Sequence, residues 1–191
     1  MIAEFQVLDT EDFYIEHLLD DQENIELIKS FSVPNNAIGL ENYLKNQSIL
    51  DEKGNNCRTY LIKDKSTNEL VSYFSIKTGL ITMQLHKEYF ESIPAIELSN
   101  FAVNHVYRQK HPEISRIGSY SFKYFILPLV RCLSKFVGIN SLYIYALPQE
   151  KLIEHYKTLG FARLPQKQEK FVQYHVKPKY DEGCIFMVQS L

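Results

Sequence analysis

The sequence predicts an α/β (α+β) fold, with a mixed central β-sheet of about seven strands and helices on both faces. Segments with strand and helix patterns alternate along the 191 residues in the order β-α-α-β-β-β-α-β-α-β-β. Hydrophobic residues make up 45% of the chain and charged residues 23%, as in a globular protein with a sizeable core. The seven glycines and seven prolines are scattered, without a linker or repeat. We therefore expect residues 1–191 to form a single domain.

The first half of the chain combines helices with a β-hairpin. Its predicted elements are a strand at 2–8, helical segments at 10–31 and 38–50, and hairpin strands at 59–63 and 70–76. Thr10 is a suitable helix N-cap, because its side-chain oxygen can accept a bond from a free amide, and two acidic residues follow it. The hairpin strands are rich in Tyr, Ile, Val and Phe and flank a polar turn.

The second half alternates strands and helices. Its predicted elements are strands at 95–104, 142–147, 160–164, 172–176 and 185–188, and helices at 117–136 and 149–159. Residues 80–93 fit more than one kind of structure. Pro128 is expected to kink its helix, because proline lacks the amide that the helical ladder needs. The helix at 117–136 should complete a right-handed crossover between strands, with ligands binding beyond their carboxyl ends.

Charge is distributed unevenly along the chain. Residues 1–56 hold 12 acidic and 3 basic residues, a balance of −9, whereas residues 57–191 hold 11 acidic and 18 basic residues, a balance of +7. The acidic part favours a cation such as an amine, and the basic part favours an anion such as a phosphate. The alternative is that both parts form ordinary solvated faces.

The sequence shows no signature of a membrane or secreted protein. It contains no apolar run long enough to span a bilayer, and its first residues are acidic rather than those of a secretory signal. The three cysteines, Cys57, Cys132 and Cys184, have no disulfide or zinc spacing. We therefore expect reduced thiols, no bound metal and a cytoplasmic location.

Three segments carry the chemical signal, and together they resemble one family. They are IPAIELSNFAVN at 93–104, ISRIGSY at 114–120, and a strand and helix that end in YKTLGF at 156–161. In this order and spacing they resemble the GNAT superfamily of acyl-CoA-dependent N-acetyltransferases. The resemblance covers roughly residues 57–191. It implies an acyl-CoA N-acyltransferase-like domain that moves an acetyl group from acetyl-CoA to a primary amine.

The segment before the helix at 117–136 is suited to phosphate. The first amides of a helix have no partner within it, Gly118 lets an anion approach the backbone, and Arg116 adds a positive charge. The resemblance implies that Arg116, Ile117, Gly118 and Ser119 bind the pyrophosphate of coenzyme A. The segment departs from the family pattern Q/R-x-x-G-x-G/A, because Arg116 replaces the first glycine and Glu113 the leading residue. The alternative is a plain helix start.

The strand at 95–104 is the second predicted contact with the cofactor. The resemblance implies that backbone groups at Phe101, Ala102 and Val103 bond the pantetheine arm of acetyl-CoA. This requires the strand to splay from its neighbour, since a bulge there would free backbone groups. The alternative is that these residues belong only to the core.

Glu97 is an unusual carboxylate within an apolar strand. Burial of a carboxylate is costly, so it indicates a specific role. Amine acylation needs a base to remove a proton, and the resemblance implies that Glu97 is this catalytic base. The alternative is a structural salt bridge with Arg58 or Lys77.

Tyr156 is the second predicted catalytic residue. It begins the closing Y-x-x-x-G-F motif, and the resemblance implies that its phenol protonates the leaving coenzyme A thiolate. The alternative is a core tyrosine packed on the sheet. His155, its neighbour, lies on a different face of the helix and is not expected to act directly.

The acyl acceptor cannot be read from the motifs, and two rival functions stay open. The acidic residues near the N-terminus suggest a cationic small-molecule or protein amine. One rival is a toxin-type family member that acetylates aminoacyl-tRNA through a basic face with Lys167, Lys170, Lys177 and Lys179. Nucleic acid is otherwise not expected as a partner. The other rival is a non-catalytic binding protein on the same fold. A homodimer through the C-terminal strands is a further hypothesis.

Overall fold

The structure, a computed structural model, describes residues 9–86, 89–175 and 183–191 and contains a six-stranded sheet. Its strands are β1 (Phe13–His17), β2 (Arg58–Asp64), β3 (Leu70–His86), β4 (Tyr89–Val103), β5 (Ser141–Ala146) and β6 (Ile185–Ser190). They follow one another in the sheet in chain order. The pairs β1–β2, β2–β3 and β5–β6 are antiparallel, and β4–β5 is parallel. The mixed α+β class is confirmed, with six strands in place of about seven.

The helices are short, and several are joined by irregular turns. They are α1 (Glu23–Leu27), α2 (Ile38–Asn42), α3 (Ser48–Lys53), α4 (His105–Lys110), α5 (Ile117–Ser121), α6 (Leu127–Leu133), α7 (Glu150–Thr158) and α8 (Gln166–His175). A π-helical turn, Phe122–Ile126, joins α5 to α6 just before Pro128. Proline has no amide for the bond to the residue four positions earlier, so the regular ladder is interrupted where the sequence predicted a kink.

The predicted helix at 10–31 is wrong over its first part. Residues 13–17 form β1, which pairs with β2 in the register Phe13 to Asp64, and Phe13 and Ile15 are buried on one face. The Thr10 side chain accepts a bond from the Phe13 amide at 3.1 Å, so it stabilises the turn before a strand. The first helix begins only at Glu23. The strand predicted at 2–8 lies outside the described residues.

The strands predicted at 160–164 and 172–176 are also wrong within the described residues. Ala162 forms only an isolated bridge with Val188, and residues 166–175 form α8. The buried positions of α8, Glu169 and Val172, are three residues apart, which is the spacing of one helix face. Pro165 lies just before this helix and is compatible with its start, because a first-turn amide needs no helical partner.

Most other predicted elements are confirmed. The helical region at 38–50, the hairpin, the strands near 95–104, 142–147 and 185–188, and the helices at 117–136 and 149–159 all appear, with small shifts at their ends. The ambiguous stretch at 80–93 belongs to β3 and β4 in its described part. The three cysteines, all in the described residues, form no disulfide, and Cys57 is buried. Within the described ranges, no helix has the length and apolarity to cross a membrane.

The chain divides into two compact units, each with its own core. The first unit comprises residues 1–76 and 100–129, and the second comprises residues 77–99 and 130–191. Buried residues of the first core include Leu18, Phe31, Leu44, Leu61, Tyr73 and Ala102. The second core contains Ile81, Ala95, Tyr143, Val172 and Phe186. The prediction of one domain over 1–191 stays a prediction.

Candidate functional site

Glu97 lies in β4 in the second unit, where it is 2% exposed and bonded on both oxygens. Lys77 Nζ lies 3.1 Å from Oε1, and Ser99 Oγ donates to the same oxygen at 3.2 Å. The Tyr143 hydroxyl donates to Oε2 at 2.8 Å. Of the two partners expected from the sequence, Lys77 forms the ion pair, while Arg58 pairs with Glu52. A buried carboxylate with an ion pair and hydrogen bonds is well compensated for its loss of water.

Tyr143 reaches Glu97 because a glycine leaves space for its ring. Glu97 and Tyr143 are directly paired in the parallel register of β4 and β5, so their side chains lie on the same face. A Cβ atom at Gly79 in β3 would lie 2.2 Å from the Tyr143 hydroxyl. Burial and the charge of Glu97 raise the pKa of Tyr143, so the phenol keeps the proton that it donates. Sequence analysis missed Tyr143, because this contact depends on strand register.

The parallel pairing of β4 and β5 stops at this same point. The register runs from Ala95 with Ser141 to Glu97 with Tyr143, and β5 then continues in pairing with β6 alone within the described residues. Strands that part in this way leave backbone amides and carbonyls without a sheet partner at the point of divergence. The sequence predicts the divergence farther along β4, near Phe101 and Val103, and that placement stays a prediction.

The predicted pantetheine contacts lie at the end of β4, in the first unit. Ala102 is buried in the first core, whereas Phe101 and Val103 are half-buried. Because strand side chains alternate between faces, Phe101 and Val103 point away from the side that Ala102 packs against. Their backbone role is not tested by this placement and stays a prediction.

Tyr156 lies near the end of α7, where the Gly-Phe part of the Y-x-x-x-G-F motif forms the helix cap. Gly160 adopts φ +96° and its amide bonds to Lys157 O at 3.0 Å, while the Phe161 amide bonds to Tyr156 O at 3.1 Å. These two bonds form a Schellman cap, in which glycine supplies the left-handed residue and an apolar contact closes the turn. The contact is the edge-to-face pair of Tyr156 and Phe161, with ring centroids 5.6 Å apart. The spacing of Y-x-x-x-G-F therefore fixes the position of the Tyr156 ring.

The Tyr156 phenol is suited to donate a proton. Tyr156 is 9% exposed, and burial raises its pKa to about 12. The group is therefore fully protonated at neutral pH. His155 is half-buried beside it, with ring centroids 6.0 Å apart.

The predicted phosphate segment has the backbone of a glycine-opened loop. Arg116, exposed at the N-cap of α5, adopts φ 56° and ψ 31°, in the left-handed region. The first helical bond runs from the Tyr120 amide to Arg116 O at 3.0 Å. The amides of Ile117, Gly118 and Ser119 come before that bond and have no partner within the helix. Arg116, where the resemblance implied a glycine of the family pattern, thus has a conformation that glycine favours.

Replacement of Arg116 by glycine should therefore stabilise the protein. A left-handed conformation costs an ordinary residue about 1 kcal/mol, and we expect Arg116→Gly to raise the free energy of unfolding by about 0.5–1 kcal/mol. The matched control is Arg108→Gly in α4, also exposed, which should lower it by about 1 kcal/mol. Urea unfolding of both variants is the measurement. A loss of stability in Arg116→Gly would contradict the prediction.

A cavity of about 450 Å³ lies beside this segment in the first unit. Its charged lining is Glu11, Asp12, Asp64, Lys65, His111 and Glu113. The carboxylates of Glu69 and Glu113 accept hydrogen bonds from the His111 ring and raise its pKa. Four carboxylates against two basic groups favour a cation over a phosphate. A pyrophosphate bound by the α5 amides would therefore have to lie outside this cavity, because the cavity carboxylates would repel it.

Asp64 in this cavity makes stability depend on pH. Burial raises its pKa, but bonds from the Ser66 and Tyr107 hydroxyls and from the Ser66 and Thr67 amides outweigh burial and lower the pKa to about 2. A lowered folded-state pKa gives stability that is present above the ordinary value of 3.8 and lost as pH falls toward 2. We expect the stability advantage of the wild type over Asp64→Asn to shrink by about 1 kcal/mol between pH 7 and pH 3.

Chemical denaturation at the two pH values measures this change. Glu11→Gln removes an exposed carboxylate from the same cavity and serves as the control, with no comparable change expected. An advantage of the wild type that stays constant with pH would contradict the assignment of Asp64.

Comparison with known proteins finds similarity in fold. No protein-family model matches the sequence, and no curated protein sequence matches it. A mutant of the toxin AtaT bound to the C-terminus of the antitoxin AtaR and acetyl-CoA has a TM-score of 0.62, at 19% identity, covering 94% of each chain. A mutant of KacT and AtaT complexed with acetyl-methionyl-tRNAfMet each have a TM-score of 0.63, at 19% identity, covering 94% of this chain and 95% of theirs. The chain therefore shares the fold of AtaT and KacT, and this fold is of the mixed α+β class that the sequence predicted.

Proposed function

We propose that this protein is an N-acetyltransferase that moves an acetyl group from acetyl-CoA to a primary amine by direct attack in a ternary complex. The observation that carries the proposal is the buried Tyr156 phenol, fixed by the Schellman cap of α7 on a GNAT fold. The proposal is supported by AtaT, a protein of similar fold whose structure contains acetyl-CoA.

Tyr156 is the proposed acid. Acetyl-CoA supplies an activated acetyl thioester, and a thiolate is the leaving group when an amine attacks it. Burial raises the pKa of this phenol to about 12, so the group is protonated at neutral pH and its proton is present when the thiolate forms. Its fixed ring needs no reorganisation when the thiolate leaves.

Glu97 is the proposed base. It is buried and ion-paired with Lys77, so an acceptor ammonium would meet a carboxylate that already binds a primary ammonium at 3.1 Å. Tyr143 and Ser99 hold the carboxylate while Lys77 is displaced or while a water carries the proton. The same contacts are those of a structural salt bridge, so the role of Glu97 needs a kinetic test.

Glu97→Gln separates the two roles of this carboxylate. The amide keeps the shape but loses the charge, and we expect turnover to fall by about 10²–10⁴-fold. The control is Ser99→Ala, which removes a neutral donor from the same oxygen and should lower turnover less than about tenfold. A Glu97→Gln variant with full turnover and only lower stability would assign Glu97 to the salt bridge alone.

The unpaired amides of Ile117, Gly118 and Ser119 are the proposed pyrophosphate site, with Arg116 as the nearby cation. Backbone amides at a helix start and the helix dipole attract phosphate oxygens without specific side chains. The backbone of Phe101, Ala102 and Val103 is the proposed contact of the pantetheine arm. The acidic cavity beside α5 opposes a pyrophosphate at this loop by its charge.

Titration of acetyl-CoA into the purified protein by calorimetry tests the proposal. We expect roughly micromolar affinity, followed by thiol release in the presence of small amines. Absence of acetyl-CoA binding would overturn the enzyme proposal and leave a non-catalytic binding protein on this fold. Binding without thiol release from any tested amine would point to a larger acceptor.

The second candidate acceptor is aminoacyl-tRNA, whose α-amine is also a primary amine. It is favoured by AtaT, which was solved in complex with acetyl-methionyl-tRNAfMet. Lys167 and Lys170 are exposed on α8, and Tyr174 on the same helix is 81% exposed. Basic and aromatic side chains together are typical of a surface that binds single-stranded nucleic acid. The other two lysines of this predicted face, Lys177 and Lys179, lie outside the described residues.

Alanine substitution of these four lysines tests the tRNA alternative. We expect tRNA affinity to fall by about tenfold or more, because each phosphate contact contributes through counterion release. The control is Lys29→Ala with Lys53→Ala, which removes exposed lysines from the first unit. Unchanged affinity in the fourfold variant, or no tRNA binding by the wild type, would exclude this acceptor.

The remaining partner prediction is a homodimer through the C-terminal strands. β6 comes last in the order of the described sheet, and the bridge of Ala162 with Val188 occupies part of its outer edge, so another strand would have to add to the rest of that edge. Light scattering at high protein concentration tests the prediction, and a monomer would contradict it. A cytoplasmic location likewise stays a prediction.

A further inference from the structure

Lys77 brings a primary amine of the protein itself to the proposed base. Its Nζ lies 3.1 Å from Glu97 Oε1, and its side chain is 36% exposed, whereas that of Glu97 is 3% exposed. The proposed reaction acts on a primary amine beside this carboxylate. We propose that Lys77 is a site at which the protein acetylates itself, an inference that rests on the function proposed above.

The surroundings of Lys77 allow it to leave the ion pair without loss of the carboxylate's position. Glu97 keeps the Tyr143 hydroxyl on Oε2 and the Ser99 hydroxyl on Oε1 when Lys77 moves. The Tyr143 ring fills the space over Gly79, which shares a face of β3 with Lys77, so the amine cannot move in that direction. The Lys77 side chain is 36% exposed, and its flexible stem can move the amine toward solvent while the base stays in place.

The reaction balances with groups that are already proposed for the enzyme. Glu97 takes one proton from the Lys77 ammonium, and the freed electron pair on Nζ attacks the thioester carbonyl carbon. A carbon–nitrogen bond forms, the carbon–sulfur bond breaks, and its electron pair goes to sulfur. Tyr156 donates its proton to that sulfur and regains a proton from solvent, while the second nitrogen proton and the proton held by Glu97 pass to solvent, so that one proton is released overall. The products are N6-acetyl-lysine and coenzyme A, and no oxidant or reductant is needed.

Acetylation of Lys77 would change the surroundings of the proposed base, Glu97. Acetyl-lysine is neutral, so the modification removes the cation that occupies Glu97 Oε1. An external ammonium then meets no competing lysine at this oxygen. The Glu97 carboxylate would bind the Lys77 ammonium and the ammonium of a primary alkylamine acceptor through the same ion pair.

The experiment is incubation of the full chain with acetyl-CoA and no added acceptor, followed by peptide mass spectrometry of each lysine. Two lysines provide internal controls. Lys45 is 27% exposed and paired with Glu41 at 2.7 Å, so it matches Lys77 in exposure and in having a carboxylate partner. Lys29 is 64% exposed and paired with Glu26 at 2.6 Å, so it reports reaction of an exposed surface amine with acetyl-CoA.

We expect Lys77 to be acetylated about tenfold or more faster than Lys45 and faster than Lys29, because it is positioned against the base. Tyr156→Phe should slow acetylation of Lys77 by about a hundredfold and leave Lys29 and Lys45 unchanged. Lys77→Arg should remove the modified peptide. Acetylation of Lys77 at the rate of Lys45 or slower, or at a rate that Tyr156→Phe does not change, would overturn the proposal.

Two further measurements on the same sample separate this proposal from the enzyme proposal. Calorimetry reports acetyl-CoA binding, and thiol release with an external amine reports turnover. Binding and turnover with an unmodified Lys77 would overturn self-acetylation alone. Absence of acetyl-CoA binding would overturn both, whereas modified Lys77 without external turnover would support self-acetylation and redirect the search for the acceptor.

Discussion

Tyr156→Phe is expected to lower the rate of acetyl transfer by about 10²–10⁴-fold, which is the usual contribution of a general acid. The substitution removes only the phenolic hydroxyl. The ring remains packed edge to face on Phe161, and the backbone bonds of the cap at Gly160 do not involve the side chain. Acetyl-CoA affinity should therefore stay within about twofold, so the loss falls on the chemical step. Thiol release at saturating acetyl-CoA and calorimetry measure the two quantities.

Tyr174→Phe is the matched control for this prediction. It removes the same hydroxyl from a tyrosine of α8 that is 81% exposed, and turnover with a small amine should not change. The pH profile adds a second check. Because burial raises the pKa of Tyr156 to about 12, the wild-type rate should not fall between pH 7 and pH 9 through loss of this proton. Full turnover by Tyr156→Phe would contradict the acid role and leave Tyr156 as a packing residue.

The fold class was predictable where periodicity was long and unambiguous. The hairpin of β2 and β3 and the strand β4 are rich in β-branched and aromatic residues, and the structure confirms them. Periodicity failed in short segments, where strand and helix patterns cannot be distinguished. Residues 13–17 follow a good N-cap, yet pairing with β2 and burial of Phe13 and Ile15 outweigh the local helix signal. Tertiary contacts determine whether such a segment forms a strand or a helix, and local propensity carries no information about these contacts.

The predicted site residues differ in how much the sequence could show about them. Glu97 was detectable because a lone carboxylate in an apolar strand needs a partner, and Lys77 was one of two partners considered. Tyr143 was not detectable, since its contact requires the parallel register of two strands that are far apart in the chain. At Arg116, the resemblance implied that an arginine stands where the family pattern has glycine, and the structure shows a left-handed backbone at this residue. A sequence motif shows which side chains are present, but a backbone conformation can stay the same when one of those side chains is replaced.

Gly79→Ala is expected to lower the free energy of unfolding by about 1–3 kcal/mol, the range typical of an overfilled core. The added Cβ would lie 2.2 Å from the Tyr143 hydroxyl and 2.8 Å from two ring carbons, so the ring must move. Tyr143 is 3% exposed among Ile81, Ala95 and Phe186, which leaves little room for that movement. The displaced hydroxyl should also release Glu97, and turnover should fall together with stability. Urea unfolding and thiol release measure the two effects.

Two controls identify Tyr143 as the cause of this effect. Gly138→Ala adds the same methyl group where no heavy atom lies within 4 Å, and its stability should change by less than about 0.5 kcal/mol. In the double variant Gly79→Ala with Tyr143→Ala, the ring that the methyl group meets is absent. The two substitutions should therefore cost less together than the sum of their separate costs, with a coupling of about 1 kcal/mol or more. Additive costs would show that the methyl group at position 79 strains some other contact, and the link from Gly79 through Tyr143 to Glu97 would be wrong.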